Sequence, residues 1–520
     1  MKKVFFFLFF FFPIATKSYA QTPDWSTSVA SIIYNHCSLC HHEGAIGPFP
    51  LITYEDAVDN SFSIQTQVNA KKMPPWPPDP NYNHLKNENV LSDNELNKIN
   101  DWINNGMPSG DLNLAPPHPV FLSGPQMVDP DDTIQLPVFE IPFEPDVYWN
   151  FVKNSGYTET KYINSLELVK ENIGAIHHTQ IQYDSSDYSN QDDLNYPGPG
   201  YPQSVATSPY IEFFGADQVH LLTLPHNMGF EIPAGSDYVT YLHYTPSAPG
   251  LYDSSRINIK FCKDSIVRVV NSVLMLYNTP PSLLDGPFEI PANTVKTFHF
   301  ASGKFFNDKS LLGLGVHAHQ VCKSWEVFMV TFTNDTIPLL KIPNWDFRWQ
   351  GGYLLTKVIK IPFGAQIFGN ATFDNTTNNP DNPNNPPKDV EGGTSSFDEM
   401  ARARLIMTDY QPGDEDIILD SAFYNATNTF AIEKENYLNV FPNPTSQNIY
   451  ASYSGNEDEL EFSLYNNLGE VIFRNEKRSV KENGYVFNFD CSAYPSGMYL
   501  LEARSGISSS TGKFLIERKK

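Results

Sequence analysis

Residues 238–244 read Tyr-Val-Thr-Tyr-Leu-His-Tyr, and residues 325–332 read Trp-Glu-Val-Phe-Met-Val-Thr-Phe. Short alternating runs rich in β-branched and aromatic residues predict strands, because successive side chains of a strand point to opposite faces. Runs of this kind, punctuated by turn residues, recur from residue 121 to residue 430. Sheets packed face to face produce that pattern, and two β-sandwiches are expected, residues 121–280 and 281–430. The 41 prolines, 27 tyrosines and 37 phenylalanines argue the same way, against helix bundles. A chain of 520 residues exceeds one core and should hold three or four domains. The expected class is multidomain and mainly β.

A formal net charge of -24 argues against nucleic acid and anionic membrane surfaces as partners, since both select basic patches. Lys2-Lys3, an apolar run from Val4 to Phe12, and Ser18-Tyr19-Ala20 have the three parts of a secretory signal, residues 1–20. The run is shorter than the roughly 20 apolar residues a bilayer requires, so no membrane span is expected in the mature protein. Export permits disulfides. Of the five cysteines, Cys262 and Cys322 are the pair left for one once Cys37, Cys40 and Cys491 are set aside, and a Cys262–Cys322 disulfide is expected.

Cys37-Ser-Leu-Cys-His41 is the attachment pattern of a c-type heme, with two thiols for thioether bonds and an imidazole for the iron. Val29, Ile32 and Ile33 fall on one side of a helix across Ser26 to Asn35. Ser92-Asp-Asn-Glu is a capping-box pattern ahead of Leu96, Ile99, Trp102 and Ile103. Residues 21–112 therefore read as a small α-helical heme domain, followed by a Pro-rich linker, 113–120. Met73, in Lys-Lys-Met-Pro-Pro-Trp, is the favoured second axial ligand; Met107 is its rival, with His42 and His84 behind. The stretches Gly47-Pro-Phe-Pro-Leu-Ile-Thr-Tyr-Glu-Asp56 and Met73-Pro-Pro-Trp76 resemble the cytochrome c domains fused to bacterial copper monooxygenase-like proteins, where the methionine before Pro-Pro-Trp is an expected ligand.

His317-Ala-His319 places two imidazoles on one face of a strand, with small Ala318 facing away. His177-His178 would point to opposite faces of a regular strand, so shared ligation there demands a distortion such as a bulge. His243 and Met400, each alone, read as core residues. In order, however, Ile176-His-His178, Glu231-Ile-Pro-Ala-Gly-Ser236, Leu242-His-Tyr-Thr-Pro246, Val316-His-Ala-His319 with Lys323-Ser324, and Gly392-Gly-Thr-Ser-Ser-Phe-Asp-Glu-Met400 resemble the copper type II, ascorbate-dependent monooxygenases, the class of peptidylglycine alpha-hydroxylating and dopamine beta-monooxygenases. The resemblance implies two jelly-roll-like sandwiches with one copper ion each. His177, His178 and His243 would hold the electron-supplying copper, and His317, His319 and Met400 the catalytic, oxygen-binding copper. Imidazole and thioether donors suit a metal that cycles between two oxidation states.

The implied reaction is hydroxylation of an aliphatic C–H bond of an organic substrate by O2. Electrons would come from ascorbate or another external reductant, such as a redox protein, and could pass through the fused heme, which the shared chain keeps at high effective concentration. Peptide-hydroxylating members carry an arginine two residues before His-x-His. Gly315 stands there, so the carboxylate clamp for a glycine-ending peptide is missing. Asn375 to Lys388, rich in Asn and Pro, reads as a flexible loop near the second copper group.

From Tyr437 the composition changes. Leu438-Asn-Val-Phe-Pro-Asn-Pro444, Phe462-Ser-Leu-Tyr-Asn-Asn-Leu-Gly-Glu-Val-Ile472, Ser496-Gly-Met-Tyr-Leu500 and the basic end read as a small β-sandwich, residues 437–520. The segment resembles the sorting domain of the type IX secretion system, which implies that secretion machinery as partner and passage through the periplasm to the cell surface or the medium. Two other functions fit the same residues: an extracellular heme and copper electron carrier without substrate, and a binding protein on the same scaffold.

Overall fold

The computed structural model describes residues 22–121, 124–144, 147–172, 175–202, 210–213, 221–244, 250–423, 438–441, 444–453, 459–467, 470–474, 478–479, 487–505 and 508–518. The signal segment, residues 1–20, lies outside them. The chain forms two compact units, Met1–Asp420 and Ser421–Lys520, and is mainly β with few helices.

Helices gather at the start of the first unit. A π-helical turn, Trp25–Val29, runs into the helix Ala30–His36, and Tyr54–Asp59, Ser61–Asn69 and Asp93–Asn104 follow. Local chemistry starts them. The Ser92 hydroxyl accepts from the Glu95 N–H while the Glu95 carboxylate accepts from the Ser92 N–H, the reciprocal cap that the sequence predicts, and Thr53 and Asp56 repeat it. Trp25, Val29, Ile33, Ile99 and Trp102 close a core of their own. The segment between the helices Ser61–Asn69 and Asp93–Asn104 docks elsewhere: Leu85 is buried in the core of the second β region and bridges Leu355. Around it Asp79 N–H donates to Lys341 O (2.8 Å), Lys86 N–H to Leu354 O (2.8 Å), and the Asn83 amide to Leu339 O (2.9 Å).

One long sheet runs through the unit in the order Asp132–Gln135, Arg256–Phe261, Lys161–Val169, Met228–Ile232, Arg268–Tyr277, Ala401–Asp409, Lys309–Ala318, Gly352–Ile361. Val147–Asn154, Asp237–Tyr244 and Ile176–Asp184 form the middle of a second sheet. Thr294–Ala301, Gln366–Asn375, Cys322–Val330 and Thr336–Ile342 form another. The two quoted stretches thus lie on the strands Asp237–Tyr244 and Cys322–Val330. The long sheet carries two cores. Leu311, Leu314, Leu405 and Met407 join Phe298, Phe300, Trp325 and Phe373 in one. Leu312, Val358 and Ile406 join Tyr238, Leu242 and Tyr244 in the other. Strands buried on both faces lose their alternation, which is why Leu311-Leu-Gly-Leu-Gly-Val316 reads as a continuous apolar run. Each fully buried side chain of this size stabilises the fold by roughly 1.5–3 kcal/mol.

The expected Cys262–Cys322 disulfide is not formed: both thiols are free. Cys262 follows the strand Arg256–Phe261, with its thiol 3.1 Å from Asp264 Oδ2. Cys322 is buried at the start of the strand Cys322–Val330, in the other core. The Asn-rich loop, Asn375 to Lys388, is tied down by its own side chains: Asn375 is fully buried, its amide donates to Ile290 O and Lys388 O, and its side-chain oxygen accepts from Asn382. The C-terminal unit builds a third β core from Phe462, Leu501, Phe514 and Ile516, with Cys491 inside it. Among the described residues no helix is long and apolar enough to cross a membrane.

Candidate functional site

The antiparallel ladder between Lys309–Ala318 and Ala401–Asp409 pairs His317 with Arg402 and Ala318 with Ala401. Just past the ends of these strands, Glu399 Oε1 accepts from the N–H groups of both His319 and Met400, which places their backbones side by side. The rings of His317 and His319 lie 5.2 Å apart, nearly perpendicular. His319 and Met400 are buried, at 2% and 7% exposure. Both histidines are held through Nδ1: His317 by Gln350 Oε1 at 2.5 Å, and His319 by the Asp398 carbonyl at 3.1 Å. Gln350 is itself buried and donates through Nε2 to Phe347 O at 2.9 Å. The Trp345 indole donates to His319 O at 3.1 Å.

Glu399 ties the two strand ends together. Its Oε1 accepts from the N–H of Met400 (2.7 Å) and of His319, and its Oε2 from the N–H of Val321 (3.1 Å). The glycines before it admit the required close approach: a Cβ on Gly393 would fall 2.1 Å from Asp398 Oδ2, and one on Gly392 would fall 2.8 Å from the Asn278 amide. Burial, then the charges of His319, Arg402 and His243, hold the His317 imidazole well below its ordinary pKa, against the Gln350 hydrogen bond. A neutral ring is the form that ligates metal. Arg402 faces His317 across the ladder, and Arg404 faces Gly315.

His243 is 1% exposed, on the strand Asp237–Tyr244, and stacks on Tyr148 at 4.1 Å. Its partner on the other side is His178, and the register then slips so that Tyr244 pairs with Ile176, leaving His177 as the extra residue. This is a bulge at the position where shared ligation demands one. The side chains of His177 and His178 lie outside the described residues. The Phe347 ring lies 6.3 Å from the His243 ring and 6.0 Å from the His319 ring. Among the described residues no three His, Cys, Asp or Glu side chains converge as a metal cage. Neither group is of that type there, because one relies on a thioether and the other on two side chains outside the description.

In the helical region, burial and then the neighbouring Cys40 push the Cys37 thiol up to about 12. His41 is buried, its Nδ1 2.9 Å from Phe49 O. A Cβ on Gly47 would meet the His41 ring at 2.7 Å, so only glycine lets the loop cross there. Met73 is 39% exposed, and Leu39 and Ile46 are exposed apolar neighbours of the motif. Met107 packs on the helical core. His42 is hydrogen-bonded to Ser38 O and stacked on Phe121, and His84 pairs with Glu88.

Gln350, Phe347, Trp345 and the clamp by Glu399 carry no signal in local sequence. Glu399 stands inside the quoted Gly392–Met400 stretch, but its three partners appear only in the fold.

Residues 439–517 match the secretion system C-terminal sorting domain family. The C-terminal unit is a secretion sorting domain. The protein is therefore exported through type IX secretion to the cell surface or the extracellular space, with that machinery as a partner. No curated protein matches the chain. Solved structures with some likeness include the β-D-glucuronidase of Dictyoglomus thermophilum (11% identity, TM-score 0.13, 49% of this chain and 44% of that one). Others are the BSP domain of a biofilm-associated protein (9%, 0.14, 76% and 84%) and a peptide-N(4)-(N-acetyl-β-D-glucosaminyl) asparagine amidase (10%, 0.23, 54% and 97%). The chain thus spans less than half the length of the glucuronidase. Similarity at this level carries no argument about function.

Proposed function

We propose that the exported chain is a copper-dependent monooxygenase that hydroxylates an aliphatic C–H bond with O2, with a c-type heme domain at its N-terminal side. In this reading the two β cores are jelly-roll-like sandwiches, each contributing one copper group. The observation that carries the reading is that His317, His319 and Met400 lie at the ends of adjacent strands, where Glu399 Oε1 accepts from the N–H of His319 and of Met400 and both rings are hydrogen-bonded at Nδ1.

Copper held at the two groups supplies one-electron redox chemistry and O2 binding. The protein's part follows from its geometry. Gln350 Oε1 and the Asp398 carbonyl accept from Nδ1 of the two rings, so Nε2 would be the nitrogen that holds copper, with tautomer and orientation fixed together. Glu399 keeps Met400 in register with His319. Burial of His319 and Met400 excludes bulk water, and the thioether favours the reduced metal. The bulge at His177 and the stack of His243 on Tyr148 shape the second imidazole group. Cys37 and Cys40 would form the thioether bonds and His41 would ligate the iron, oriented by its bond to Phe49 O. Met73 is the proposed second axial ligand.

The test is Met400→Ile in the full chain, matured with heme and loaded with copper. Hydroxylated product in a substrate screen should vanish, while ascorbate still reduces the heme. Unchanged product formation would refute the assignment. Reduction without product in the parent chain would favour an electron carrier instead.

A further inference from the structure

Trp76 lies three residues beyond Met73, and its indole packs against the ring of Tyr353, centroid to centroid 5.7 Å at 72°. Tyr353 belongs to the core of the second β region and follows Gln350 by three residues. Gly351 lies against that ring: a Cβ placed on it would be 2.9 Å from the Tyr353 hydroxyl. Gln350 then reaches His317 Nδ1 at 2.5 Å. A continuous line of contacts runs from the Met73 segment through Trp76, Tyr353, Gly351 and Gln350 to His317.

Among the described residues neither Trp76 Nε1 nor the Tyr353 hydroxyl has a hydrogen-bond partner, although both atoms are buried. A buried polar atom left unpaired destabilises the fold. Phenylalanine at either place would pack without that cost, so a polar anchor does not explain the pair. Indole and phenol share a large π system of low ionisation energy, which strengthens electronic coupling across a contact. The docking bonds of Asp79, Asn83 and Lys86 hold the contact in place.

Resting on the proposed function, we infer that Trp76 and Tyr353 form the electronic contact through which one electron passes from the heme to the His317–His319–Met400 group, without first visiting the His243 group. The ferrous heme becomes ferric, one cupric ion becomes cuprous, and no proton moves. An external one-electron donor, ascorbate or a small redox protein, restores the ferrous heme.

The experiment is anaerobic photoreduction of the heme in the full chain holding Cu(II), following the ferrous α band and the copper EPR signal. Trp76→Leu and Tyr353→Leu should lose the fast phase of heme reoxidation, whereas His243→Ala should keep it. A fast phase intact in both leucine variants, or lost in His243→Ala, overturns the inference. Should a leucine variant undock, seen as protease cleavage within 113–120, Trp76→Phe keeps the packing and is read instead. It should slow the fast phase, and an unchanged rate overturns the inference. Absence of the α band or of the copper signal in the parent chain would sink the functional reading itself, and the inference with it.

Discussion

Replacing Gln350 by Leu is the perturbation that isolates the support of the candidate oxygen-binding group. Leucine nearly matches glutamine in volume, so the buried space stays filled while two hydrogen bonds go: the one to His317 Nδ1 at 2.5 Å and the one to Phe347 O at 2.9 Å. Loss of such a supporting contact to a ligating histidine typically lowers metal affinity about 10–100-fold, or roughly 1.4–2.7 kcal/mol. The buried partners left behind cost the fold about 1–3 kcal/mol each. Gln350→Glu separates the two effects, because a carboxylate still accepts from His317 Nδ1 but no longer donates to Phe347 O. Titration of the full chain with Cu(I) against a chromophoric chelator reads both copper groups. The leucine variant should weaken one copper by that factor and leave the other unchanged, with the glutamate variant close to the parent. Two unaltered affinities in Gln350→Leu would show that His317 is not a ligand held from behind by this residue.

Glu399→Leu deprives the N–H groups of His319, Val321 and Met400 of their acceptor; at about 1–3 kcal/mol each, partly offset by apolar burial, calorimetry of the full chain should show a lower melting temperature and metal analysis the loss of one copper. Asp414 is buried against Arg268, Ser310 and the Gln411 N–H; burial alone would raise its pKa, but those hydrogen bonds outweigh it and hold the carboxyl below its usual value. Asp414→Asn should therefore cost about 3–5 kcal/mol at neutral pH, at roughly 2–4 °C per kcal/mol. Because the folded pKa is depressed, that difference is present above the unfolded value of about 3.9 and should vanish as pH falls through the lower folded value, which melting curves from pH 7 down to pH 3 would check. Leu85→Ala, in the segment that docks the helical region on the second core, should cost about 2–5 kcal/mol and expose residues 113–120 to protease.

Much of this was readable from residue patterns whose causes are local. The capping box at Ser92 and the helix face of Val29, Ile32 and Ile33 depend on neighbours within a turn, and the strand at Asp237–Tyr244 depends on alternation over a few residues. The need for a bulge at His177 followed from the pleat alone. The strand Lys309–Ala318 is harder, because burial on both faces erases its alternation. Partners distant in sequence left no trace: Gln350 reaches His317 across 33 positions, and Glu399 reaches His319 across 80. The disulfide expectation failed for the same reason. Counting cysteines says nothing of distance, and Cys262 and Cys322 belong to different β regions.

The central claim is that this exported chain assembles two copper groups beside one heme. The measurement that tests it most directly is metal analysis and heme absorbance on the full chain, produced with heme-maturation machinery and supplied with copper. The account predicts two copper ions and one covalently attached heme per chain, with one copper lost in His243→Ala and the other in Met400→Ile. A single copper, zinc in its place, or two coppers indifferent to both substitutions would contradict it.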